Sequence, residues 1–239
     1  ADIRVRKAAN LAIDRAGLAK LLGGLMIESK GVVYPGHPWF GSPSFDIKYD
    51  PEQAKKLLAE AGYGPNKKPK IKIAISTSGS GQMLPLPMNE YVQENLNAVG
   101  FDTSFEVMEW NALVTFSFQP VTGDASKKAG TNGINISRAT VDPYSAFMRL
   151  YHSEFVPPKG ANWGLLKDPK LDALIDTAHG SFDRAAQTKA LADVHTYIVD
   201  QAYWVYIAHD LNPRAMSPKV QGFVQAQSWF QDLAPVSMK

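Results

Sequence analysis

Downstream of Asp2, the apolar residues Val5, Ala9, Ala12, Ala16 and Ala19 recur at helical spacing. They predict a first helix over residues 3–22, capped by Asp2 and stopped by Gly23-Gly24. A loop rich in Gly, Pro and aromatics follows over residues 31–45. Asp50-Pro51 then opens a second helix, with an acidic cap and Pro in the first turn, and Gly62 ends it. Ile71, Ile73 and Ile75 alternate with polar residues and predict a half-buried strand. Met88, Val92, Leu96 and Val99 form one face of a third helix ended by Gly100, and Phe101, Thr103, Phe105 and Val107 alternate as a second strand.

Residues 122–131 read as a polar loop and 133–137 as a third strand. Asp142-Pro143 opens a short helix through Leu150, Asp168-Pro169 opens another, and Asp183 caps a longer one bearing Ala186, Ala190, Val194 and Ile198. A last strong strand is expected over 203–208, with weak strand character near 220–224. Helices interleaved with strands in this order predict an α/β layer structure with one mixed sheet flanked by helices.

Composition narrows the function more than the fold. The 25 basic and 23 acidic side chains leave a net charge of +2, so nothing electrostatic recommends a nucleic-acid partner. With no cysteine among 239 residues, disulfides, thiol catalysis and thiolate metal sites are excluded. The most apolar stretch, residues 11–27, is interrupted by Asp14, Arg15, Lys20 and Gly23-Gly24 and is not expected to span a bilayer. The chain opens on a helical pattern with no signal-peptide pattern before it, as expected of a processed or truncated chain.

Candidate chemistry is sparse. His37, His152, His179, His195 and His209 are scattered, with no metal-ligand spacing, and His179 and His195 read as helix-surface residues. The SGSG run at 78–81 lacks both the Lys of a phosphate loop and the spacing of a hydrolase elbow. Asp50 and Asp168 are expected to be caps. Asp142 sits at a strand-to-helix junction, where α/β folds place ligands. Among the aromatics, Trp204 is expected in the core and Trp163, in a loop, is placed to meet a ligand or another domain. No enzyme and no cofactor emerge from these motifs.

Taken in order, the segments resemble the C-terminal part of the extracellular solute-binding proteins of family 5, receptors of ABC importers. Residues 5–15 read VRKAANLAIDR, similar to that family's VRkAinyAiDR helix, and residues 49–63, YDPEQAKKLLAEAGY, follow its YDPekAKkLLaEAGy segment. QENLNAVGF at 93–101, DPKLDALI at 168–175 and RAMSPKVQGF at 214–223 continue the likeness collinearly. The resemblance implies one lobe of a class-II-like bilobal periplasmic binding protein. Residues 1–208 would form the second lobe and residues 209–239 the segment returning to a first lobe outside this chain. It implies non-catalytic capture of a small solute, peptide-class or related, in the periplasm, with an ABC permease as partner.

Peptide-binding relatives carry a D-x-x-D-P pattern whose first Asp takes the peptide's α-amino group. Here residues 137–143 read SRATVDP, which keeps Asp142-Pro143 but puts Ala139 at the amine position, beside Arg138. An unpaired ammonium in a closed cleft is costly. An anionic, sugar-like or modified-peptide solute is therefore expected in place of an ordinary peptide. The expected cleft residues are Arg138, Ala139 and Thr140, then Asn162 and Trp163; Arg138 would supply charge and Trp163 a stacking face. Two readings from other classes remain: a hydrolase using Ser80 or Asp142 with a distant His, and a protein-interaction module presenting residues 34–45.

Overall fold

The computed structural model describes residues 2–78, 84–211, 213–226 and 231–239. The predicted first helix is two helices, α1 (Ile3–Ala12) and α2 (Arg15–Leu21). Helical periodicity runs through the break, but Asp14 caps α2 by accepting from the Gly17 N–H at 2.9 Å, and Ile13 is extended and buried. A short strand, β1 (Met26–Glu28), precedes the aromatic loop. Asp50 caps α3 (Pro51–Glu60) as expected.

β2 (Lys70–Ser76), α4 (Pro85–Ala98) and β3 (Asp102–Met108) form a βαβ unit, and β2 pairs with β3 in parallel from Lys70↔Asp102 to Ser76↔Met108. β3 is followed by α5 (Trp110–Phe116), capped by Glu109, and the expected polar loop at 122–131 contains α6 (Asp124–Ala129). The third strand is shorter than predicted: β4 (Gly133–Ile134) pairs in parallel with the other edge of β2. The sheet order is thus β3-β2-β4. β2 is covered on both faces, unlike the half-buried strand expected, because parallel sheets bury both sides. Ile71 packs with Val92, Leu96 and Phe101, while Ala74 packs with Leu113, Phe116 and Trp163.

A π-helical turn (Tyr144–Met148) runs into α7 (Arg149–Tyr151). α8 (Pro169–His179) and α9 (Arg184–Asp200) then pack side by side as the wall of the largest core, with Leu171, Ile175, Leu191, Val194 and Ile198 buried against Phe147, Leu150 and Tyr151. The 31–45 loop is fastened to α9. Buried His195 accepts from the Val32 and Val33 N–H groups at Nε2 and reaches the Phe40 carbonyl through Nδ1 at 2.7 Å, so it is a core residue and not the surface residue expected. Asp200 Oδ1 accepts from the Ser44 and Phe45 N–H groups.

The strand expected at 203–208 is largely absent as a ladder; only β5 (Ala208–Asp210) pairs, antiparallel to β1. Its apolar run is real, but side chains of the first two helices take up its backbone polar groups. Arg6 binds the Gln201 carbonyl, Asn10 bridges the Trp204 carbonyl and the Tyr206 N–H, and Arg15 Nε donates to the Tyr206 carbonyl at 2.9 Å. Beyond it, β6 (Val220–Gln221) and β7 (Ser237–Met238) form a two-residue antiparallel pair whose surroundings are largely exposed. Strand pairing is mixed, and it is distributed over one parallel sheet and two short antiparallel ladders, with helices around them.

Candidate functional site

The connection from β2 through α4 leads to β3 on one side, and the chain then crosses to β4 on the other. That reversal creates a topological switch point between β2 and β4, and ligands in open α/β sheets lie outside the carboxyl ends of the strands at such a point. Two segments leave the sheet there: Thr77-Ser78 after β2, and residues 135–143 after β4. Ser80, the nucleophile of the hydrolase reading, lies outside the described residues.

Residues 135–143 are held at their base and open at their tip. The Asn135 N–H donates to the Ala74 carbonyl at 3.0 Å, and Asn135 Nδ2 donates to Oδ1 of the buried Asn89 at 2.7 Å. Ser137 Oγ donates to Asp210 Oδ2 at 2.8 Å, tying the loop to β5. Burial raises the Asp210 pKa, partly opposed by that hydrogen bond. Beyond Arg138, Ala139 is exposed and Thr140 half-buried, while Val141 and Tyr144 present apolar surface to solvent. Asp142 turns back on its own helix, accepting from the Ser145 N–H and hydroxyl at 3.0 and 2.8 Å, a capping role.

Arg138 is the unusual member. Its guanidinium is largely buried and its Nε has no hydrogen-bond partner among the described residues. Burial, and then the charge of Arg149, pull its pKa down to about 10. Arg149 opens α7, and nothing in the local sequence announces that its charge acts on Arg138. Two other buried polar atoms at this end also lack partners: Ser76 Oγ, on the last residue of β2, and Trp163 Nε1.

The second pair of expected site residues sits deeper than sequence suggested. Asn162 is committed to its own loop, with Nδ2 donating to the His152 and Leu166 carbonyls and Oδ1 accepting from the Leu166 N–H at 2.8 Å. Trp163 is 7% exposed and packs on Phe116 with ring centroids 5.9 Å apart. It belongs to the wall behind the sheet end. Residues 34–45, the face of the interaction-module reading, are fastened to α9 by Ser42 N–H donating to Thr196 Oγ1 and to the π turn by Trp39 packing near Phe147, while Tyr34 stays exposed. Among the described residues, no group of three or more His, Asp or Glu could hold a metal ion.

A switch-point edge with a cationic centre and exposed apolar neighbours suits binding more than bond-breaking. Comparison with known proteins identifies the lineage: residues 1–156 match the family described as bacterial extracellular solute-binding proteins, family 5 Middle. The chain belongs to the family 5 solute-binding proteins. Among curated members, it is 25% identical over 238 residues to the heme-binding protein A of Haemophilus influenzae, covering 99% of this chain and 42% of that protein. It is 29% identical over 249 residues to the probable di/tripeptide-binding protein 5 of Pseudomonas aeruginosa, covering 100% of this chain and 43% of that one. The dipeptide-binding protein of Pseudoalteromonas sp. SM9913, solved with Met-Leu, superposes with a TM-score of 0.81 at 22% identity over all of this chain and 45% of that one. This family 5 chain therefore spans less than half the length of the relatives it matches. Its fold is one α/β lobe of a bilobal periplasmic binding protein. No described helix is long and apolar enough to cross a membrane.

Proposed function

We propose that this chain is a ligand-binding lobe of a receptor that captures a small solute in the periplasm and delivers it to an ABC permease, without transforming it. Membership of family 5 carries the reading, and the switch-point edge after β2 and β4 supports it. Relatives named for di/tripeptides, oligopeptides and glutathione point to a peptide-class or related solute. Arg138, Ala139 and Thr140 line the cleft in this proposal, Trp163 backs it, and Asn162 keeps the neighbouring loop in shape. Residues 209–239 return toward a first lobe, which supplies the opposite wall of the cleft. One lobe offers half of the contacts, so high affinity belongs to the whole receptor.

The test is a thermal-shift and mass-spectrometric screen of the full-length receptor against di- and tripeptides, their derivatives, organic acids and sugars. A ligand present at 100 times its Kd stabilises by about 2.7 kcal/mol, a shift of several degrees. The solute is expected to be recovered with its mass unchanged. Cleaved solute, or no shift across the screen, would overturn the proposal.

A further inference from the structure

Arg138 poses an electrostatic problem that the lobe itself does not solve. A largely buried guanidinium is normally held by a carboxylate or by several carbonyls, because removing a charge from water without a partner costs several kcal/mol. Among the described residues, neither Arg138 nor Arg149 takes part in an ion pair, although eight other pairs are formed. Arg138 Nε is buried with no acceptor. A second arginine close enough to be felt adds like-charge repulsion. Asp142, four residues along the chain from Arg138, is turned to Ser145, and Asp210, which holds the same loop, to Ser137. A buried guanidinium with no carboxylate on it, beside a switch point, is an incomplete anion site.

Resting on the receptor reading above, we infer that Arg138, with Arg149 adding positive charge, binds an anionic group of the solute, a carboxylate or a phosphate. Arg138 offers a planar fork suited to two parallel hydrogen bonds, and a bound anion offsets the repulsion between the two cations. Exposed Val141 and Tyr144, three and six residues along the chain from Arg138, would meet an apolar body on the same solute. The solute class is then an acid with an apolar portion, not a molecule recognised by a free amine.

The experiment uses the full-length receptor, refolded to strip carried-over solute, and a thermal-shift panel sorted by charge. Its arms are N-acetyl dipeptides (carboxylate only), dipeptide amides (ammonium only), free dipeptides, dicarboxylates, sugar phosphates and neutral oligosaccharides. Hits are expected among the acids, and comparison of N-acetyl dipeptides with sugar phosphates tells which anion is bound. By calorimetry, Arg138→Gln should weaken the best acid about 30-fold, and Arg149→Gln about tenfold. Arg138→Lys should fall between Arg138→Gln and wild type.

The ligand-free Arg138→Gln variant should melt no lower than wild type, since it loses an unpaired charge. If amides or neutral solutes bind and acids do not, the receptor reading stands and the anion site falls. A panel with no hits overturns both. Arg138→Gln that melts lower yet keeps its affinity for acids would mean that Arg138 is paired with the rest of the receptor, and the inference fails.

Discussion

His195 shows how much one side chain can carry. Its ring is fully buried, accepts two backbone N–H groups at Nε2 and donates at Nδ1 to the Phe40 carbonyl, an arrangement that only the neutral imidazole satisfies. Burial, against the opposing pull of the Phe40 hydrogen bond, lowers its pKa from 6.5 to about 4. The unfolded chain therefore binds a proton between pH 6.5 and 4 that the native protein refuses, so stability falls with pH across that window. It is complete above 6.5 and lost by 4. Roughly 3 kcal/mol should disappear there, read as a decline in urea midpoint that His195→Gln flattens. Arg15 is the other keystone. It is 3% exposed and donates to the Tyr206, Asn10 and Ile13 carbonyls. Arg15→Met should cost about 3 kcal/mol in urea unfolding, because three buried acceptors lose their donor.

At the scale of elements, legibility followed locality. Helices opened by Asp-Pro, α3 and α8, were readable because cap, proline and apolar face lie within one stretch of chain. The break at Ile13 was not, since periodicity continues through it and only the Asp14 cap and the inward Arg15 reveal it. The 203–207 segment looks like a strand but is satisfied by side chains nearly 200 residues earlier, which no local pattern can show. Of the two arginines in the proposed anion site, Arg138 has a sequence signal in its place just before Asp142-Pro143, and Arg149 has none.

Two element-scale predictions follow from the same contacts. Asp168 caps α8 and also accepts from the Tyr197 and Tyr203 hydroxyls; these bonds outweigh burial and keep its pKa low. Asp168→Ala should cost about 2 kcal/mol, measured by denaturation, and more than Asp50→Ala. Gly41 holds φ +67°, and a Cβ there would lie 2.4 Å from the Ala192 carbonyl oxygen. Gly41→Ala should lift the 31–45 loop off α9 and lower stability by about 2–3 kcal/mol, with amide exchange rising at Val32 and Val33.

For the whole molecule, the distribution of exposed apolar groups is uneven. Val224, Leu233 and Met238 are 74%, 65% and 66% exposed, all on the segment after β5. In hydrogen exchange on the isolated chain, residues 213–226 and 231–239 should exchange within the fastest class, and the same residues should be protected in the full-length receptor. The native product should weigh more than twice the 26.2 kDa of this chain, by intact mass.

The clasp that Arg6, Asn10 and Arg15 place on residues 201–206 also sets an order of events in time. Every bond in it joins the beginning of the lobe to its last buried stretch, so the largest loop closure comes at the end of folding. A nascent chain stopped at residue 200 has α1, α2 and the βαβ unit but nothing to seat on Asn10 and Arg15, and it remains an open half-lobe for proteases and chaperones. Six more residues shut it. A chain truncated just after Tyr206 is accordingly expected to resist protease better than one truncated at residue 200.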